Sequence, residues 1–170
     1  IYILLSLAMI SWAIAWTNAK IVGEYLSFYN LIFFRFLLGF ISLLPFLMYN
    51  KKNLPSLKAY KYIIIPSILF SIYNIAFFKG TYFGEAGRGA ILVTTLNPLF
   101  TLLIISFIRK KIIFKEVLGI IVGLFGGLII MDVFKYGFDI IFDIKNIYFL
   151  ICAFTWGVMT VFIDLAQKKI

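Results

Sequence analysis

Ser11-Trp12-Ala13-Ile14, inside an apolar run at the start of the chain, recurs as Thr155-Trp156-Gly157-Val158 inside another run near its end. Roughly 20 apolar residues cross the hydrocarbon core of a bilayer as a helix, so each run is long enough to be a membrane span. Working outward from these two, the same reading predicts six spans: Ile1–Ala19, Phe28–Tyr49, Tyr62–Phe78, Gly89–Ile108, Val117–Met131 and Ile147–Leu165. The fifth is short, and becomes adequate if it extends from Phe114 to Phe134 or if the bilayer thins locally. An odd number of crossings separates the first run from the sixth. If five helices make one repeat, the second copy enters the membrane from the opposite side. Inverted repeats of this kind build many secondary transporters, with the substrate site at the seam between copies. The expected division is residues 1–131 as the first repeat, 132–146 as an outer connection, and 147–170 as the opening helix of a second, incomplete repeat.

Composition agrees with lipid as the solvent. The chain is 64% hydrophobic and 14% charged, against about 45–50% and 25% in soluble domains. Twenty Phe, three Trp and four Met suggest a lipid-facing surface of Phe, Ile and Leu. No His is present, which excludes imidazole metal sites and His proton relays. The one cysteine, Cys152, sits in an apolar run and reads as a small buried hydrophobe. The chain opens apolar at Ile1, without Met or a basic leader region. The first run therefore reads as a membrane helix with residues upstream of it, not as a signal peptide.

A net charge of +9 could suggest nucleic acid, but the basic residues sit in short loops between oily stretches. Ten fall on one side: Lys51, Lys52, Lys58, Lys61, Arg109, Lys110, Lys111, Lys115, Lys168 and Lys169. Five fall on the other, Lys20, Lys79, Arg88, Lys135 and Lys145, mixed with Glu24, Glu85, Asp132, Asp139 and Asp143. The positive-inside rule places the ten in the cytoplasm, with both ends of the segment inside. Between Asp132 and Asn146, Lys135, Asp139 and Asp143 recur at helical spacing. This suggests either a short amphipathic helix along the outer interface or an irregular loop with oily residues.

Few polar groups lie within the spans. Arg35 is the only charge well inside one, and Gly39 and Ser42 share its helical face. A charge at that depth costs a few kcal/mol, so it contacts an anion in a transport path, bonds a neighbouring helix, or snorkels outward. Ala90, Thr94, Asn97 and Thr101 form one small, polar stripe on the fourth helix. Pro98 lacks the N–H that the Thr94 carbonyl would accept, which frees that carbonyl beside the stripe. Such a wall suits a cavity or a helix contact equally. Asn74, on a face with Ser67 and Ser71, needs a partner from either substrate or helix. Trp12 and Trp156 lie deep, while Trp16 sits nearer the outer end, where an aromatic-belt role is the default. Gly119 and Gly123 form a small-xxx-small pattern expected to serve helix packing. Glu116 opens the fifth helix, where its charge suits the positive end of the helix dipole. No paired acids or metal-ligand cluster occurs, so neither an enzyme nor a cofactor is expected.

Taken in order, these residues resemble the EamA-like branch of the drug/metabolite transporter superfamily. The resemblance rests on Ser11-Trp12-Ala13, Arg35-Phe36-Leu37-Leu38, the stretch Thr81–Ala90 leading into Asn97-Pro98-Leu99-Phe100, and Glu116 followed by Gly119, Gly123 and Gly126. It implies an all-α, polytopic inner-membrane carrier of ten helices in two inverted halves, exporting amino acids, other metabolites or drugs by alternating access. It also implies a central cavity, with Trp12, Asn74, Thr94, Asn97 and Trp156 as wall residues; Arg35 completes the candidate substrate-binding set. The expected partners are a small-molecule substrate, the lipid bilayer, and either a second copy of the chain or a missing C-terminal half; nucleic acid is not expected. The other reading is a non-transporting membrane scaffold or partner subunit, whose polar stripes serve helix packing alone.

Overall fold

A computed structural model of the chain describes residues 2–50 and 60–167. The apolar runs form α1 (Tyr2–Val22), α2 (Phe28–Asn50), α3 (Tyr60–Phe83), α4 (Ala86–Arg109) and α5 (Phe114–Ile130). Two single turns, α6 (Val133–Tyr136) and α7 (Asp139–Phe142), and a 3-10 turn at Ile144–Asn146 lead into α8 (Ile147–Gln167). Among the described residues, five helices are long and apolar enough to cross a membrane: α1, α2, α3, α4 and the α8 segment. The fifth expected span, α5, has 17 residues, about 25 Å of helix against a hydrocarbon core of roughly 30 Å. It starts at Phe114, as a full crossing requires, but stops at Ile130 because Asp132 takes up a left-handed conformation at φ 53°.

Ring contacts fix the directions of the helices. Trp12 stacks on Trp156, and Trp16, one turn further on, meets Phe149, two turns earlier in α8. The helices α1 and α8 therefore run in opposite senses. Against α3, the pairs Tyr73–Trp156 and Phe83–Tyr148 make α8 antiparallel as well. Against α4, Phe100 meets Phe154, and a β-carbon on Gly157 would meet Phe100 and the Thr101 backbone nitrogen, further along both helices than the Gly89–Phe149 contact. Hence α4 and α8 are parallel. The last helix lies in the groove between α3 and α4, and α1 packs against that unit through Trp12 and Trp16.

Small residues permit this approach. Without a hydrophobic drive between helices in lipid, association depends on close packing, which small side chains allow. The buried Phe149 ring sits in a socket of Gly80 from α3, Gly84 from the turn after it and Gly89 from α4. A β-carbon at Gly80 would lie 2.6 Å from that ring, and one at Gly89 would overlap it. Large apolar side chains cover the outward faces of α1 and α2, among them Leu4, Leu38 and Phe46, as lipid contact requires.

The connection after α5 is not one amphipathic helix. Gly137, at φ 84°, separates α6 from α7, so Lys135 and Asp139 do not share a continuous helical face. Instead the segment folds onto the bundle. Met131 and Val133 are buried, and the Asn146 amide donates to the Ile140 carbonyl at 2.8 Å. At the same end, the Lys20 Nζ donates to the Gly84 carbonyl at 3.0 Å, and Arg88 pairs with Glu85 at 3.0 Å. Lys51, Lys52, Lys58, Lys168 and Lys169, which carry part of the charge asymmetry, lie outside the described residues.

Candidate functional site

The helices α4 and α5 touch at one end and part at the other. Near the loop that leads to α8, a β-carbon on Gly127 would lie 2.8 Å from the Thr95 side chain, so the two backbones are close there. Gly123 and Gly119, one and two turns back along the same stripe of α5, have nothing within 4 Å of where a β-carbon would stand. Among the described residues no helix packs against them, contrary to the small-xxx-small expectation. They line a cleft of about 770 Å³ between α4, α5 and α8. The contact had to occur at one glycine of the stripe, and the splay of the helices placed it at Gly127.

The α4 wall of the cleft runs from Thr94 through Asn97, Pro98 and Thr101 to Arg109, about four turns or ~22 Å. From α8 come Trp156 and Thr160; from α5 comes Glu116. The polar stripe of α4 is thus a cleft wall over most of its length. Thr101, Thr160, Glu116 and Arg109 were not among the expected binding residues. Thr160 follows Trp156 by one turn, which was a usable signal. Glu116 and Arg109 read from the sequence only as a helix start and a topology charge.

The six candidate residues do not all converge. Thr94, Asn97 and Trp156 line the cleft. Trp12 stands behind Trp156, ring centroids 6.4 Å apart and planes at 27°, and supports the cleft's aromatic wall. Asn97 also ties helices together. Its amide, oriented to suit its neighbours, donates to the Val93 carbonyl and, across to α8, to the Ala153 carbonyl, 3.1 Å each. The cavity and packing readings of this residue therefore both hold.

Arg35 and Asn74 are not among the residues lining this cleft. The Arg35 guanidinium lies over the Phe77 and Phe78 rings of α3, 5.4 and 5.6 Å from their centroids. Quadrupole attraction of that kind stabilises by about 0.5–2 kcal/mol and supplies a partner for a charge at membrane depth. Asn74 is wholly buried, and its Nδ2 donates to the Phe70 carbonyl of its own helix at 2.7 Å. Its Oδ1 is buried with no partner among the described residues. Cys152 is buried and its thiol leans on the Tyr73 carbonyl at 3.5 Å, in keeping with its reading as a small hydrophobe.

This geometry belongs to a polytopic helical membrane protein with a polar-lined cleft between its spans. Residues 1–132 match the family model described as the EamA-like transporter family, and the chain belongs to that family. Among curated proteins it is similar to the uncharacterized transporter YoaV of Bacillus subtilis (strain 168), with 30% identity over 139 residues. The alignment covers 80% of this chain and 47% of that protein, so the chain spans about half the length of the curated relative it matches. No solved structure matches the chain. Family membership and five helices long and apolar enough to cross a bilayer, among the described residues, make it a multi-pass membrane segment of an EamA-like transporter-family protein.

Proposed function

We propose that this chain forms half of a secondary transporter that exports a small metabolite by alternating access, with the α4–α5–α8 cleft as its substrate site. The cleft itself carries the reading. It is lined by a polar stripe in mid-membrane, where unpaired polar groups are tolerated only beside protein or water. It is shut at one end by the Thr95–Gly127 contact and reaches Arg109 and Glu116 at the other. The opposite senses of α1 and α8 suit inverted copies, with residues 1–131 as the first repeat and 147–170 opening the second. By the positive-inside rule the Arg109 end faces the cytoplasm, which makes this an inward-facing arrangement in an inner membrane.

Substrate would enter beside Arg109 and Glu116 and rest against Thr94, Asn97 and Trp156, with Trp12 holding Trp156 in place. Rocking of one repeat against the other would break the Phe149 socket to open the outer side. Arg35 and Asn74, on the α3 side, are the groups such a movement would bring into use. Counterflow of radiolabelled amino acids and amines in proteoliposomes of the full-length protein tests this. Asn97→Ala and Arg35→Ala are expected to impair transport more than membrane insertion. Wild-type flux from both variants removes them from the site.

A further inference from the structure

The hydrogen atoms along the cleft are largely spent on the protein's own backbone. The Thr94 hydroxyl donates to the Ala90 carbonyl at 2.7 Å, and the Thr160 hydroxyl to the Trp156 carbonyl at 2.9 Å. Both amide hydrogens of Asn97 go to the Val93 and Ala153 carbonyls. What these three side chains have left to offer is lone pairs. Pro98 adds to them, since it has no N–H for the Thr94 carbonyl. Glu116, half-buried at the other end of the cleft, adds a carboxylate that no cation among the described residues pairs with. Trp156, stacked on Trp12, lends the cleft an aromatic lining.

Donors on the cleft wall are fewer. Arg109 stands at the exposed rim, and the Trp156 indole contributes one N–H. The Thr95 and Thr101 hydroxyls can rotate to suit either kind of ligand. Among the described residues that line the cleft, Arg109 is the cation, and Arg35 is held elsewhere, over Phe77 and Phe78. An anionic group at mid-cleft would set its oxygens against fixed lone pairs. An ammonium would bring three donors to them.

We propose that the cleft accepts ligands that carry a protonated amine on an aromatic or apolar body and discriminates against carboxylates of the same shape. The proposal rests on the cleft's being the substrate site.

Three matched probes test it: phenethylamine, N-acetylphenethylamine and 3-phenylpropionate, each titrated against the full chain in detergent micelles by tryptophan fluorescence. Phenethylamine is expected to bind at least about tenfold more tightly than either of the others, about 1.4 kcal/mol. Glu116→Gln and, separately, Thr160→Val are each expected to shrink that ratio several-fold, so a variant that fails to fold leaves the other to decide. Equal affinities, a preference for the carboxylate, or saturable binding by none of the three overturns the proposal. So does an amine preference that survives both substitutions. Trp156→Ala separates the two levels. Equal affinities that it weakens leave the cleft as a binding site and remove only the charge preference. Affinities indifferent to it remove the cleft.

Discussion

The Phe149 ring occupies the volume that a β-carbon on Gly89 would need, and the same ring lies against Gly80 and Gly84. Three glycines, from two helices and the turn that joins them, thus receive one aromatic side chain from a third helix. Interiors at this density do not absorb an added methyl without a shift. Gly89→Ala should therefore destabilise the bundle by about 1–3 kcal/mol, as overpacking does, and Phe149→Leu in the same chain should recover part of it. Gly119→Ala is the control, since nothing lies within 4 Å of its site. Thermal melts in detergent check the contrast. Equal losses at Gly89 and Gly119 would mean that α8 does not sit in this groove.

Asn97 has one foot in the cleft and the other on α8. Its bond to the Ala153 carbonyl is one of the direct polar ties between the first four helices and the last. Interhelical hydrogen bonds of this type stabilise membrane bundles by about 0.6–2 kcal/mol. Asn97→Ala should lower the melting temperature by a correspondingly small amount. Asn97→Asp should cost more, because it sets a carboxylate against two carbonyl oxygens. Paired melts of the two variants decide, and a milder effect from Asp would argue against this amide orientation.

Arg35 and the aromatic pair beneath it should behave as a unit. Arg35→Gln and Phe77→Leu are each expected to destabilise, while the double variant should lose less than the two effects added together. The expected coupling is about 0.5–2 kcal/mol. Strict additivity in a double-mutant cycle would show that the guanidinium draws nothing from the ring. It would return Arg35 to the anion-contact or snorkelling readings that the sequence left open.

The spans were legible because lipid demands long, unbroken apolar runs, and the interruptions at residues 51–61 and 109–113 are charged. The antiparallel relation of the two Trp-containing helices was legible too, from the parity of crossings between Trp12 and Trp156. The cleft was only half visible. Thr94 and Asn97 declared themselves as polar groups on one face of α4, but nothing in a helical period tells whether such a face meets a cavity or a neighbour. Gly119 and Gly123 misled for a related reason. A small-residue stripe permits close approach at any of its glycines, and the crossing point depends on how far α5 splays from α4. Phe149 carried no signal of its own among twenty Phe; its glycine partners are far from it in sequence and come from two different helices and the turn that joins them.

The sidedness can be read directly. Cys152 is wholly buried, so the chain without added cysteines should resist an impermeant maleimide. Lys145→Cys and Arg109→Cys then report the two ends of the bundle, at the 3-10 turn before α8 and the end of α4. In intact cells the reagent should label the first and spare the second until the membrane is permeabilised. The reverse pattern would turn the whole assignment over and make the cleft outward-facing.

Asn74 offers a separation of stability from function. Its Oδ1 is buried without a described partner, while its Nδ2 donates only to a carbonyl of its own helix. A buried acceptor left unpaired costs about 1–3 kcal/mol, and the amide in return ties no second helix. Asn74→Leu keeps the volume and removes that cost, so it should melt at least as high as the unaltered chain. If Asn74 is a substrate contact that alternating access brings into use, transport by the full-length Asn74→Leu protein should nevertheless fall by an order of magnitude or more. Raised stability with lost flux is the signature of a polar group kept for its task and not for the fold. A variant that melts lower and transports normally would show the opposite: that Oδ1 has a structural partner, and that the site lies wholly on the α4–α5–α8 side.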